Sequence, residues 1–200
     1  MIAIIDYGMG NLRSVQKALE KVGAQAIITQ KPEGLTTAKK IVLPGVGAIQ
    51  PAMAKLMELD LIQPIKDSIA QNNPFLGICV GFQLLFETTT EGGKGRALGL
   101  LKGSVERFSN DVKVPQMGWN QININPENNI LFQGIADKSY VYFCHSYYAK
   151  PDDHDVVSTT TDYGVSYASS IVRKNLFGVQ FHPEKSQDVG LKILKNFVEI

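Results

Sequence analysis

The chain has 200 residues, a formal net charge of +1 and two cysteines; that balance gives no electrostatic case for nucleic acid or an anionic membrane. With 44% hydrophobic and 20% charged residues, the composition is that of a soluble globular enzyme able to bury a core without disulfides. Cys79 and Cys144 form neither a C-x-x-C pair nor a zinc spacing, no apolar run approaches the ~20 residues of a membrane span, and Met1-Ile2-Ala3-Ile4-Ile5 opens without a signal-type segment, so a cytoplasmic protein with no metal and no cofactor is expected.

Ile2 to Ile5 reads as a buried strand, followed by a tight Tyr7-Gly8-Met9-Gly10 turn. Asn11 is placed to cap a helix whose Leu12, Val15, Leu19 and Val22 share one face, and Gly23 suits its end. Ala26 to Ile28 and Lys40 to Leu43 read as the next strands. Pro44-Gly45-Val46-Gly47 is a loop, and helices are expected over Ala52 to Leu59 and Leu61 to Gln71. Pro74 to Ile78 is a strand leading into Cys79, and a helix is expected from Val80 to Glu87. Strands alternating with helices argue for an open, mostly parallel sheet flanked by helices, an α/β fold of flavodoxin-like type.

The pattern changes after Glu87. Thr88 to Arg96 reads as a polar, Gly-rich loop. Short strand-like runs follow at Val105–Phe108, Gln121–Ile124, Tyr140–Tyr148, Val165–Val172 and Phe177–Phe181, separated by turn signals such as Asn125-Pro126 and Lys174-Asn175. This second half reads as an antiparallel β extension. Ser186 to Ile200 reads as a closing helix, capped by Ser186, with Leu191, Leu194, Phe197 and Val198 facing inward. With no repeat and no linker, residues 1–200 are expected to form one domain.

Gly77-Ile78-Cys79-Val80-Gly81, between strand and helix, is the cysteine form of a nucleophile elbow. The glycines permit a sharp bend that lifts the sulfur above the sheet, at the carboxyl end of a parallel strand, where open α/β sheets place their sites. The start of the following helix favours a thiolate, the attacking species. Phe181-His182-Pro183-Glu184 can supply a base and its orienter. Pro183 biases His182 toward extended backbone, and residues two apart then project to one side, which brings Glu184 to the imidazole. An oxyanion needs backbone donors; Val80, after the nucleophile, can give one, and Val46 or Gly47 the other. Tyr7-Gly8-Met9-Gly10-Asn11 lacks the third glycine and the ribose-binding acid of a dinucleotide site. Cys144-His145 is excluded as a metal pair because strand neighbours point to opposite faces.

Gly77 to Gln83 with Leu84-Leu85, the Pro44–Gly47 loop and Phe181–Glu184 together resemble the class I, triad-type glutamine amidotransferases. Asp6 to Leu12, Pro115-Gln116-Met117-Gly118-Trp119-Asn120 and His182 to Ser186 resemble the branch of that family that serves histidine biosynthesis. The motifs run from residue 6 to residue 186. The resemblance implies a glutaminase with Cys79 as nucleophile, His182 as acid/base, Glu184 as orienter, and Gly47, Val46 and Val80 around the oxyanion. It implies that Gln83 holds the glutamine substrate, that Glu91 contacts its amino end, and that Ser146 and Tyr147 hold its carboxylate end through backbone. His145-Ser146-Tyr147 stands where the family has His-Thr-Tyr, and a hydroxyl is retained. It further implies a heterodimer with a (β/α)₈-barrel cyclase that receives the ammonia; Met117, Trp119, Tyr142 and Lys185 are the candidates for the partner-facing surface, and the glycines on both sides of Val46 make the Pro44–Gly47 loop a candidate switch set by the liganded cyclase. On the residues alone three other readings stand beside this: a glutaminase subunit feeding another synthase, for a surface amino-sugar or pyridoxal phosphate; a cysteine hydrolase of the same fold acting on γ-glutamyl or peptide bonds; and a non-catalytic flavodoxin-like module.

Overall fold

The computed structural model describes residues 1–200. In the first half the elements are β1 (Ile2–Ile5), α1 (Leu12–Lys21), β2 (Ala26–Thr29), α2 (Pro32–Thr36), β3 (Lys40–Gly45), α3 (Ile49–Glu58), α4 (Ile62–Ala70), β4 (Phe75–Cys79) and α5 (Val80–Gln83). The second half comprises β5 (Phe86–Thr89), β6 (Gly95–Arg96), β7 (Leu101–Arg107), β8 (Gln116–Gln121), β9 (Asn123–Ile124), β10 (Tyr140–His145), β11 (Tyr147–Pro151), β12 (Val157–Asp162), β13 (Ser166–Arg173), β14 (Leu176–Val179) and α6 (Gln187–Glu199).

Five strands run parallel in the order β2-β1-β3-β4-β14. Every residue of β1, β4 and β14 is buried, which is why they read as unbroken apolar runs: a parallel sheet covered by helices on both faces has no solvent side. α1 packs through Val15, Ala18 and Leu19, the i, i+3, i+4 set of an amphipathic helix. From β14 the 12-stranded sheet continues antiparallel through β13 to β11 and β7, while β8 and β10 form a separate two-stranded ribbon. The α/β fold with an antiparallel extension is therefore as expected. A core of 49 buried residues reaches from Ile2 to Phe197 and includes Cys79.

Several local expectations are overturned. The helix expected over Val80–Glu87 stops at Gln83. Leu84, Leu85 and Phe86 are fully buried, and Phe86 pairs with Leu101 in the sheet; a stretch apolar on all sides gains more from strand pairing than from a second helical turn. The Thr88–Arg96 segment holds the β5–β6 antiparallel pair rather than an unstructured loop. Tyr140–Tyr148 breaks at Ser146, with β10 in the ribbon and β11 in the main sheet. Helix α2 and strands β8 and β12 had no counterpart in the pattern. Asn11 stands at the helix start but its side chain accepts from the Ser14 hydroxyl at 3.0 Å instead of capping backbone. On α6 the inner face is Ile193, Leu194 and Phe197, with Leu191 and Val198 half-buried.

Candidate active site

β3 and β4 lie side by side, with Gly45 opposite Cys79 in the register, so both strands end at one edge. There the chain turns sharply: Cys79 has φ 55° and ψ −108°, a region L-residues avoid and functional sites exploit. The turn fits only because its flanks lack side chains. A Cβ on Gly77 would lie 2.6 Å from the Gly81 carbonyl oxygen, and one on Gly81 would lie 1.8 Å from the Leu43 carbonyl oxygen. The G-x-C-x-G pattern is thus a packing requirement as well as a signature. Because α5 has a single turn, it carries little macrodipole, and the electrostatic partner of the sulfur is the histidine facing it.

His182 follows β14 in extended backbone (φ −100°, ψ 96°). Its N–H donates to the Tyr142 carbonyl at 2.9 Å, and Ser186 Oγ donates to the His182 carbonyl at 2.7 Å while accepting from the Tyr142 N–H at 2.9 Å. These bonds clamp the His182–Ser186 turn to β10. Ser186 therefore stands at the start of α6 without capping it by its side chain. Glu184 reaches the imidazole, with Oε1 2.9 Å from Nδ1 and both side chains almost fully buried. The reason differs from the extended-chain expectation: Pro183–Lys185 is a turn of 3-10 helix, and its curl brings Glu184 back to His182. Burial opposes a charge on the imidazole, but the neighbouring Cys79 and Glu184 raise its pKa to about 10. Imidazole, sulfur and carboxylate thus form one electrostatic unit.

A cavity of about 290 Å³ opens above Cys79. Val46, Gly47, Val80, Gln83, Glu91, Ser146, Tyr147, His182 and Lys185 line it together with Pro115, Cys144 and His145. Glu184 sits behind His182, outside the lining.

The model of the family "Glutamine amidotransferase class-I" matches residues 3–200. The chain belongs to the class I glutamine amidotransferases. Among its relatives is the imidazole glycerol phosphate synthase subunit HisH of Moorella thermoacetica, 52% identical over 100% of this chain and 94% of that one. A subunit of the same name from Dehalococcoides mccartyi strain CBDB1 is 45% identical over 100% and 97%. A solved glutamine amidotransferase superposes with a TM-score of 0.78 at 18% identity, over 100% of this chain and 98% of that one, which bears on the fold alone.

Within this amidotransferase the remaining site residues are held by buried polar bonds. Gln83 donates from Nε2 to the Tyr147 carbonyl at 2.8 Å and to Gln180 Oε1 at 3.0 Å. Gln180, fully buried, places its own Nε2 3.8 Å from the Cys79 sulfur. Sequence reasoning missed Gln180, which no motif singles out: the chain leaves β14 at Val179 and bends at Gln180 and Phe181 before His182. Glu91 accepts the Ile49 N–H at 2.7 Å, so its carboxylate also caps α3. His145 Nδ1 donates to the Tyr147 carbonyl at 2.7 Å; burial lowers its pKa to about 4, against that backbone bond and with the His182 charge adding to the effect. It is a neutral structural histidine at the rim. Beyond the cavity the β8–β10 ribbon exposes Met117 and Trp119, Trp119 packs edge-on to Tyr142, and Lys185 Nζ sits 5.8 Å from the Tyr142 ring centre. Trp119 belongs to this surface, not to the core.

Proposed function

We propose that this chain is the glutaminase subunit of an imidazole glycerol phosphate synthase, a single amidotransferase domain over residues 1–200 that works in the cytoplasm on free glutamine. No helix is long and apolar enough to cross a membrane. The observation that carries the reading is the imidazole of His182, with Glu184 on one nitrogen and the Cys79 sulfur facing it, at the floor of an amino-acid-sized cavity. Relatives bearing that synthase-subunit name, aligned over the whole chain, support it.

The Cys79 thiolate attacks the side-chain amide carbon of glutamine. The Val80 N–H and a donor from Val46 or Gly47 hold the oxyanion. His182 protonates the departing nitrogen, because an amide anion is too poor a leaving group, and the carbon–nitrogen bond breaks to leave a thioester. His182 then takes a proton from water as it attacks, and glutamate departs. Glu184 fixes the imidazole orientation throughout. Gln83, whose Oε1 makes no protein hydrogen bond, and Glu91 receive the amino end of glutamine, while Ser146 and Tyr147 receive its carboxylate. Ammonia passes to a (β/α)₈-barrel cyclase docked as a heterodimer on Met117, Trp119, Tyr142 and Lys185, for closure of the imidazole ring of imidazole glycerol phosphate. The Pro44–Gly47 loop couples the two sites: its donor is correctly aimed only when the cyclase holds its ligand.

Ammonia release from glutamine tests the reading. Wild type with liganded cyclase should turn over roughly 10²- to 10³-fold faster than wild type alone, the effect of one correctly aimed oxyanion donor. Cys79→Ala should lose at least about 10⁴-fold. Equal turnover with and without the cyclase would exclude the coupling, and an active Cys79→Ala would exclude the mechanism.

A further inference from the structure

Tyr7 carries a polar atom that the chemistry above does not use. The residue is 1% exposed, and its hydroxyl is buried without any hydrogen-bond partner. Phenylalanine would fill the same space with nothing left unpaired, so the oxygen is a cost to the resting fold. Its place is specific. A Cβ built on Gly45 would lie 2.3 Å from this hydroxyl and 3.0 Å from the Gly81 N, so the oxygen rests against Gly45 where β3 meets the nucleophile elbow. Burial, and then the nearby Cys79 charge, raise its pKa well above the ordinary tyrosine range, which keeps it a neutral donor.

Gly45 is joined by one peptide unit to Val46. Val46 and Gly47 line the cavity, whereas Tyr7 does not. Val46 is 41% exposed and Gly47 sits at φ 91°, so the loop has room to turn. A peptide unit carries its N–H and C=O on opposite sides. Any rotation that turns the Val46 N–H toward the sulfur must turn the Gly45 carbonyl away from the cavity.

We propose that Tyr7 is a positioning residue whose hydroxyl donates to the Gly45 carbonyl when the Gly45–Val46 peptide turns its N–H to the oxyanion. The unpaired oxygen is then a latch waiting for one of two loop states. The inference rests on the glutaminase reading and on the role of the Val46 donor. It gives Tyr7→Phe an unusual signature: the resting protein loses an unsatisfied group while the active state loses a bond.

The test is Tyr7→Phe in the complex with the cyclase, with kcat, KM for glutamine and the thermal midpoint measured together. Expected are a kcat reduced roughly threefold to tenfold, a KM within twofold, and a midpoint equal to or above wild type. An unchanged kcat beside an active wild type would overturn the latch alone. A kcat loss accompanied by a lowered midpoint would assign Tyr7 an ordinary packing role and also overturn it. A wild-type complex that releases no ammonia from glutamine would remove the glutaminase reading and the latch with it.

Discussion

Glu184 shows how much one buried carboxylate controls. Its Oε1 is on His182 Nδ1, its Oε2 is buried with no partner, and its side chain is 1% exposed. A buried charge with a single partner is tolerated only if that partner is charged too. The Glu184 carboxylate is among the causes that raise His182 to about 10. The sign follows. The carboxylate favours the protonated imidazole, so its removal lowers the pKa, with the Cys79 contribution left to oppose burial. If the proton on His182 is needed for ammonia to leave, the alkaline limb of kcat/KM reports that pKa in the free enzyme. In Glu184→Gln, that limb should move to lower pH, and kcat/KM at its optimum should fall roughly 10²-fold or more. A pH–rate profile of the two proteins checks this. A variant that is slower with an unmoved limb would reduce Glu184 to a packing residue.

At the scale of elements, the elbow between β4 and α5 stores strain at Cys79. Cys79 holds φ 55° and ψ −108° while its strand neighbours and both glycines fix the turn from either side. Glycine adopts that conformation freely, whereas any Cβ costs of order 1–3 kcal/mol there. Cys79→Gly should therefore be more stable than Cys79→Ala by about 1 kcal/mol, after allowing for the extra unfolded-state entropy of glycine. In an ordinary strand, alanine would be the better of the two. Urea unfolding of the two inactive proteins measures the difference, and alanine equal or superior would mean that the turn relaxes without the sulfur. The same elbow explains what the sequence made legible. β4 and its glycines are local: an apolar run, a bend, a cysteine. β8 and β10 are not local. Gln116–Gln121 has three polar residues in six and pairs with a strand beginning at Tyr140, and no pattern inside Gln-Met-Gly-Trp-Asn-Gln announces that partner. The break at Ser146 was hidden for a similar reason, because β10 and β11 are both strands and only their sheets differ. Within the site, the residues of short motifs could be named in advance. Gln180 and the Tyr7 hydroxyl could not, since their importance lies in what sits across from them.

Over the whole molecule, the sheet brings the cavity and the ribbon to one side. Lys185 belongs to both: it lines the cavity and lies over Tyr142, whose ring meets Trp119 edge-on at 6.1 Å between centres. Met117 is 64% exposed and Trp119 46%, so the ribbon whose Cys144 and His145 line the cavity also presents large side chains of the kind enriched at interface cores. Such a patch beside an ammonia-releasing cavity is where a receiving subunit must sit if the product is to pass without reaching bulk water. Trp119 is its largest member, and aromatic anchors of this kind carry much of the binding energy of an interface. Truncating a half-exposed side chain costs the isolated fold little, within about 0.5 kcal/mol. Trp119→Ala should accordingly leave the unfolding midpoint of the free chain unchanged. Its affinity for the cyclase should fall roughly 10- to 100-fold, equivalent to about 1.4–2.8 kcal/mol. Titration calorimetry with the cyclase and denaturant unfolding without it separate the two effects. Wild-type affinity in Trp119→Ala would move the docking surface elsewhere on the molecule. A destabilised free chain would return the indole to the packing of the ribbon.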